Sequence, residues 1–363
     1  MQRCVNVIGV GMSPFSPAAL APDAHVRIGT TIGQALTDAG LSASNIAAVH
    51  AVTGAMDGVT LQRALQTAGL AQVPLFHFAP NDADGSALFA RACQAILLGQ
   101  AESILVLGIE GAPAPTLGLE RLGAVAQEYM ARYLARRETF AMIAVKARQH
   151  AALNPLVAFN SLLTLDRVLQ AQMIADPLTH PQVAWASSGV AAVLLCSSEF
   201  ARRHGNGALV QVVAQACVTP QQVNDQGATF AGVDYEVNVA AARELYEQAG
   251  RGPQEVDVCE LHDLSTVSEL LLYEALGFCA EGYGEKLVED GDNTYGGNLV
   301  INPSGGLLTL GQASAASALA QCIELVHQLR GSAGRRQVAD AQLALQHQTG
   351  DDGTVTTTLF QRG

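Results

Sequence analysis

The sequence predicts an α/β fold built from two duplicated halves. Three observations lead there. Short apolar runs alternate along the chain with segments whose apolar residues recur at helical spacing, a pattern that builds largely parallel sheets covered by helices. A unit of this kind also recurs at an offset of 210 residues: "ALTDAGLSASNIAAV" from Ala35 and "ELYEQAGRGPQEVDVC" from Glu244 share a helix end, an Ala-Gly pair (Ala39-Gly40, Ala249-Gly250), a short loop and an apolar strand start (Ile46, Val256). Any two αβ units share such features, so the repeat rests on the order of elements rather than on identity. Finally, 363 residues with 49% hydrophobic and 15% charged content can bury a large core, as two domains or one domain of two halves.

The elements follow in order. Val5–Val10 is a short buried strand, stopped by Gly11 and Pro14. Ala24–Ala39 is a helix, with Val26, Ile28, Ile32, Ala35, Leu36 and Ala39 at helical spacings and Gly40 as its C-cap. Ile46–Thr53 is a strand, Thr60–Ala68 a helix ended by Gly69, and Leu75–Phe78 a short strand. Ser86–Leu98 is a helix ended by Gly99, and Ser103–Ile109 a strongly apolar strand. Residues 111–203 read as mostly helical with Pro and Gly breaks, and "ETFAMIAVKARQHAALNP" is an amphipathic helix. Val190–Cys196 and Val210–Ala216 are buried strands, and Ala313–Leu329 is a helix. The first half is expected over residues 1–215, with a helical insertion at about 111–185, and the second over 216–363. The repeated second pairs are "GSALFARACQAILLGQAESILVLG" and "AASALAQCIELVHQLRG" with "QLALQH".

Composition excludes several classes. A formal net charge of −13 argues against a general binder of nucleic acid or of anionic membranes. Seven scattered cysteines without a C-x-x-C pair favour a reducing compartment and buried thiols over disulfides or zinc. "MQRCVNVIGVGMSPFSP" lacks the regions of a signal peptide, "LFQRG" carries no recognised sorting tail, and no run of about 18 apolar residues exists. A cytoplasmic protein without a metal site is expected.

Chemistry-bearing residues crowd the C-terminal third. Gly291, Gly296, Gly297, Gly305, Gly306 and Gly311 surround the turn Asn302-Pro303-Ser304-Gly305-Gly306, just before a helix. A glycine loop feeding a helix start suits a phosphate, a carboxylate or a thioester oxygen. A crossing loop between close-packed helices fits the same glycines. Near the N-terminal helix of "PNDADGSALFARACQ", Asp82 and Asp84 either cap the helix or stand at a reaction site.

Here the residues carry a resemblance. "ELHDLSTVSELLLYEALGFC", "GDNTYGGNLVINPSGG" and "LAQCIELVHQLRGSAGRRQV", together with "DGSALFARACQAI", "ILVLGIE" and "QMIADPLT", resemble the thiolase domain of the sterol carrier protein x family over nearly the whole chain. The resemblance implies the thiolase fold, with α-β-α-β-α layers in a homodimer, and work on an acyl-coenzyme A thioester. Coenzyme A enters as part of the substrate and no separate cofactor is implied. Family members use a cysteine in a motif like N-N-C-A-T-G-S, the histidine of H-D-C-F-S and the histidine of G-H-P. This sequence has Asp82 at the cysteine position, keeps His262 and Asp263 but has Leu264 at the second cysteine, and has Gln312 for the G-H-P histidine.

Cysteine-dependent thiolysis is therefore not expected. A carboxylate is a poor substitute for a thiolate, because a mixed anhydride forms uphill from a thioester. Gln312 can donate to an oxyanion but cannot accept a nucleophile's proton. The resemblance extends to cysteine-less thiolase-like aldolases of steroid side-chain degradation, which pair with a small OB-fold, acyl-coenzyme-A-associated partner. It implies retro-aldol cleavage by Asp82 as base, His262, Tyr295 and His347 as proton or oxyanion groups, and Gln312 as a donor, with Asn302, Ser304, Gly305 and Gly306 binding the coenzyme A thioester. Each residue has a structural alternative: a cap for Asp82, a core hydrogen bond for His262, packing for Tyr295 and for His347. An acyltransferase with an unusual nucleophile and a non-catalytic acyl-coenzyme-A-binding subunit are the competing functions.

Overall fold

The computed structural model describes residues 3–20, 23–79, 84–112, 118–204, 209–222, 230 and 233–363. The first half holds β1 (Val5–Met12), α1 (Ala24–Ala39), β2 (Ala48–Gly54), α2 (Gly58–Thr67), β3 (Leu75–Phe78), α3 (Gly85–Leu97) and β4 (Ser103–Glu110). The insertion follows, with α4 (Leu119–Tyr133), α5 (Arg137–Ala151), α6 (Leu165–Leu169) and the hairpin β5 (Met173–Ala175) and β6 (Leu178–Thr179). β7 (Gly189–Ser197) and α7 (Ser198–His204) close the half. The second half holds β8 (Val210–Val218), α8 (Tyr235–Ala249), β9 (Val258–Glu260), α9 (Thr266–Ala275), α10 (Gly284–Asp290) and β10 (Val300–Ile301). It ends with α11 (Leu307–Leu310), α12 (Ser317–Arg330), β11 (Leu343–Thr349) and β12 (Val355–Arg362).

Ten strands form one sheet in the order β10-β9-β11-β12-β8-β1-β7-β4-β2-β3. The order is a palindrome: each half runs, from the centre outward, first strand, last strand, fourth, second, third. The halves join where β1 and β8 pair antiparallel, Val5 opposite Val212. The repeat is geometric as well as sequential. Gly40 (φ 65°, ψ 30°) and Gly250 (φ 62°, ψ 32°) end α1 and α8 in the left-handed region. Short 3₁₀ turns at Ala43–Asn45 and Pro253–Glu255 follow, each closed by a side chain that accepts from the backbone N–H ahead of the turn: Asn45 from Ser42 at 3.0 Å, Glu255 from Gly252 at 2.9 Å.

Alternation along β4 shows how the layers form. Ile104 and Val106 face a core shared with Leu88 and Ile96 of α3 and Leu319 and Ile323 of α12. Leu105, Leu107 and Ile109 face α1 and α2 through Ile28, Ile32 and Leu61. In the second half, Cys259, Leu345 and Leu359 pack against Leu245 and Leu270 of α8 and α9. A strand buried on both faces must be apolar throughout, and each such aliphatic side chain contributes roughly 1.5–3 kcal/mol. Helices α3 and α12 thus form the inner layer. Gly108 lets the chain before α12 approach β4, since a Cβ there would lie 2.1 Å from the Ala315 carbonyl oxygen.

Two expected boundaries move. The junction at 215/216 falls inside β8, which pairs with β12 from Val210 to Val218 and so belongs wholly to the second half. Helix α12 starts at Ser317 rather than Ala313, because residues 312–313 are engaged elsewhere: Gln312 bridges to Ala186, and the Ala313 N–H donates to Ser317 Oγ at 2.9 Å.

The insertion docks through α5. Lys146 forms a buried ion pair with Glu269 of α9 and donates to the Ile301 carbonyl oxygen at 3.3 Å, while the Tyr273 hydroxyl donates to Glu269 at 2.5 Å. Removing one partner of such a pair strands a buried charge. We expect Lys146→Met to lower unfolding stability by about 3–5 kcal/mol in urea titration, and Lys146→Met with Glu269→Leu to recover most of it.

Candidate active site

A cavity of about 630 Å³ opens where β4 and β11 end. These strands hold equivalent places in the two halves, and their last residues, Glu110 and Thr349, both line the cavity. Its lining combines polar residues, Glu110, His262, Gln312, Ser314, Thr349 and Asp351, with Tyr235 from α8 and the apolar Leu122 from α4 and Leu271, Leu272 and Ala275 from α9. Arg121 and Asp234 also line it.

His262 follows β9 and is held at its ring and at its backbone. Its Nδ1 accepts from the Thr349 N–H at 3.2 Å, which leaves the proton on Nε2. Its own N–H donates to Nδ1 of His347 at 3.4 Å, and Nε2–H of His347 donates to Asn238 Oδ1 at 2.6 Å. Asn238 is oriented by its amide, which donates to the Val233 and Asp234 carbonyl oxygens at 2.9 and 3.0 Å. Burial pushes His262 down to about 4; burial and the neighbouring His262 push His347 down to about 3. Both rings are neutral at neutral pH. His347 is fully buried behind His262 and does not line the cavity.

Gln312 is fixed by its backbone, whose N–H donates to the Trp185 carbonyl oxygen at 2.7 Å and whose carbonyl accepts from Ser187 at 2.8 Å. Like His262, it lines the cavity. Asp82 lies outside the described residues. Asp84 caps α3, accepting from the Ala87 N–H at 2.8 Å and the Ser86 hydroxyl at 2.7 Å.

The glycine-rich turn takes a different place from the one expected. Asn302, Ser304, Gly305 and Gly306 are buried, and none lines the cavity. The N–H groups of the last three are engaged: Ser304 donates to Glu260 at 2.9 Å, Gly305 to the Asn302 carbonyl at 2.9 Å, and Gly306 to Ser304 Oγ at 3.1 Å. A donor already satisfied inside the protein is not available to a thioester. The turn instead holds the His262 segment. Asn302, at φ 54°, accepts the Leu261 N–H on Oδ1 at 2.7 Å, and Asp263 accepts the Leu307 N–H at the start of α11 at 2.7 Å. Gly306 is required there: at φ 65°, a Cβ would lie 2.2 Å from Asp263 Oδ2.

Tyr295 is also separated from the cavity. Its hydroxyl donates to the Arg336 carbonyl oxygen at 2.7 Å, and its ring meets His150 edge-on at 4.9 Å. Burial raises its phenol above the ordinary range.

Glu110 was passed over by sequence reasoning, which ended the strand at Ile109. It is 6% exposed, and burial pushes its carboxyl up to about 7, with the Ala315 backbone opposing and Asp351 adding to the shift. Burial, Asp84 and Asp352 raise Asp351 as well. The signal available was position: an acid at the C-terminal end of a strand that runs parallel to its neighbour. None of the seven cysteines lines the cavity. Cys93 and Cys322 are buried, and burial raises both thiols. Among the described residues no group of three or more His, Cys, Asp or Glu is placed to hold a metal ion, and no helix is long and apolar enough to cross a membrane.

Residues 227–360 match the thiolase C-terminal domain-like family. The chain is similar to sterol carrier protein 2 of Bos taurus, with 37% identity covering 100% of this chain and 73% of that protein. It is similar to the benzoylsuccinyl-CoA thiolase subunit BbsB of Thauera aromatica, with 32% identity over 96% of this chain and 95% of that one. Among solved structures, the Ltp2-ChsH2(DUF35) aldolase superposes with a TM-score of 0.82 at 22% identity, over 99% of this chain and 98% of that one. The palindromic sheet is the thiolase fold, and 37% identity to sterol carrier protein 2 runs over the whole of this chain: the chain belongs to the thiolase superfamily, as a member of the sterol carrier protein x type.

Proposed function

We propose that the protein cleaves a carbon–carbon bond in a β-hydroxyacyl-coenzyme A by a retro-aldol reaction that uses no cysteine, in the breakdown of a lipid or steroid side chain. The observation that carries this reading is the cavity itself. Its wall combines the hydrogen-bonding groups of His262 and Gln312 with apolar side chains from α4 and α9 that suit an acyl group, and none of the seven cysteines lines it. His262 with its proton on Nε2 and the Gln312 amide are the donors for the thioester oxygen as it becomes an enolate oxygen. A donor buried in a low-dielectric wall acts more strongly on a developing oxyanion than one in water. The step needs one general base at the β-hydroxyl, the part that the family resemblance gives to Asp82. The step balances within the substrate and the protein, so coenzyme A enters as substrate and no metal or redox cofactor is invoked. Similarity to a CoA thiolase subunit and to a thiolase-like aldolase supports the same class of chemistry.

Two assembly features belong to the proposal. The apolar edge of the sheet supports a homodimer: β3 is the terminal strand, and Phe76 on it is 51% exposed. A small OB-fold, acyl-coenzyme-A-associated partner is proposed as well, since the similar aldolase structure is named for two components, Ltp2 and ChsH2(DUF35). We place the protein in the cytoplasm.

Four measurements test the reading and its assembly. Incubation with β-hydroxyacyl-coenzyme A is expected to release a carbonyl product and a shortened acyl-coenzyme A. Iodoacetamide is expected to leave that turnover unchanged; inactivation, or an acyl adduct in the intact mass, would overturn the reading. Tyr295→Phe is expected to keep turnover within about threefold and to lower stability by roughly 1 kcal/mol, the worth of one hydrogen bond. Phe76→Lys is expected to shift the sedimentation coefficient from dimer to monomer.

A further inference from the structure

Taking the retro-aldol reading as its starting point, we propose that Glu110, in place of Asp82, is the catalytic residue that carries the proton, taking it from the substrate's β-hydroxyl and returning it to Cα. Glu110 ends β4, parallel to β2, where open α/β sheets present ligands. It lines the same cavity as His262 and Gln312.

The fold reserves space for its carboxyl group. Gly54, its register partner on β2, has no side chain, and a Cβ there would lie 2.2 Å from Glu110 Oε1. The Gly111 N–H donates to the Gly54 carbonyl oxygen at 2.8 Å and fixes that backbone. Among the described residues, the other charged or titratable groups around the cavity are Asp351 of the β11–β12 turn, Asp84 beyond it at the start of α3, His262 after β9, Arg121 of α4, Asp234 ahead of α8 and Tyr235 at its start. Asp351 disfavours a charged Glu110, and no ion pair involves Glu110 among the described residues. With the carboxyl pushed up to about 7, acid and base forms are both populated at neutral pH, as proton exchange in both directions requires.

The step closes on itself. The carboxylate takes the hydroxyl proton, and the C–O bond becomes C=O as the Cα–Cβ bond breaks. The released electron pair forms the thioester enolate, whose oxygen is held by Nε2–H of His262 and the amide of Gln312. The carbonyl fragment leaves. The protonated Glu110 then delivers its proton to Cα, the enolate pair forms the new C–H bond, and the thioester carbonyl is restored. No oxidant or reductant takes part.

Propionyl-coenzyme A in D₂O isolates the proton transfer, because its Cα–H exchanges for deuterium without any bond cleavage. Wild-type exchange is expected to rise with pH through about 7, since the base form is the one with Glu110 ionised. Glu110→Gln is expected to lower it by roughly 10²–10⁴-fold, with calorimetric binding of propionyl-coenzyme A retained. Glu110→Asp, which keeps the charge but withdraws it, is expected to lose exchange as well. An infrared difference between wild type and Glu110→Gln is expected to show one protonated-carboxyl band titrating near 7. No wild-type exchange, exchange in Glu110→Gln within about threefold of wild type, or its loss in Asp82→Asn but not in Glu110→Gln, would overturn the proposal. Exchange that depends on Glu110 without cleavage of β-hydroxyacyl-coenzyme A would retire the retro-aldol reading and leave the proton role standing.

Discussion

Much of the site depends on one residue in an unusual backbone conformation. Asn302 sits fully buried at φ 54°, a region asparagine tolerates better than most residues. Its N–H donates to the Cys259 carbonyl at 2.7 Å, its side chain accepts from Leu261, and its own carbonyl accepts from Nδ1–H of His150 at 2.9 Å. Three pieces of chain meet there: β9, the glycine turn and the inserted helix α5. His262 lies one residue beyond Leu261, so its place in the cavity is inherited from this junction. Buried backbone groups must find partners, and here nearly every one is supplied by a segment distant in sequence.

The electrostatics of the cavity follow from burial more than from pairing. His262, His347 and His150 are all driven to their neutral forms. Glu110 and Asp351 are driven toward protonation. Neutral histidines and a carboxyl pushed up to about 7 differ from the thiolate-and-base arrangement of cysteine enzymes. It suits chemistry in which charge passes briefly through the substrate.

The fold was legible because the buried strands are apolar on both faces and the repeat preserves loop geometry: Ala39-Gly40 and Ala249-Gly250 fall at the same offset as the 3₁₀ turns that follow them. His262 and Gln312 were legible through their motifs, and both line the cavity. The turn at Asn302–Gly306 misled in a physical way. Glycine density reports close approach of backbone to something, without saying whether that is a ligand or, as here, the Asp263 carboxylate. Tyr295 was misplaced because a motif fixes a position along the chain, whereas the Arg336 carbonyl that holds its hydroxyl lies 41 residues away. Glu110 was invisible because a single acid after an apolar run reads as the end of a strand, and only Gly54 on a neighbouring strand reveals the space kept for it.

The joint between the halves bears on how the chain is made. β1 occupies the centre of the sheet, but its neighbour β8 begins at Val210, and the inner helix α3 waits for α12, which begins at Ser317. A ribosome releasing this chain from its N-terminus therefore exposes a bare strand edge and an uncovered apolar helix face for most of the time of synthesis. At about 5–20 residues per second, that interval lasts many seconds. The same inner layer that holds the finished protein together makes the nascent chain a natural client for chaperones.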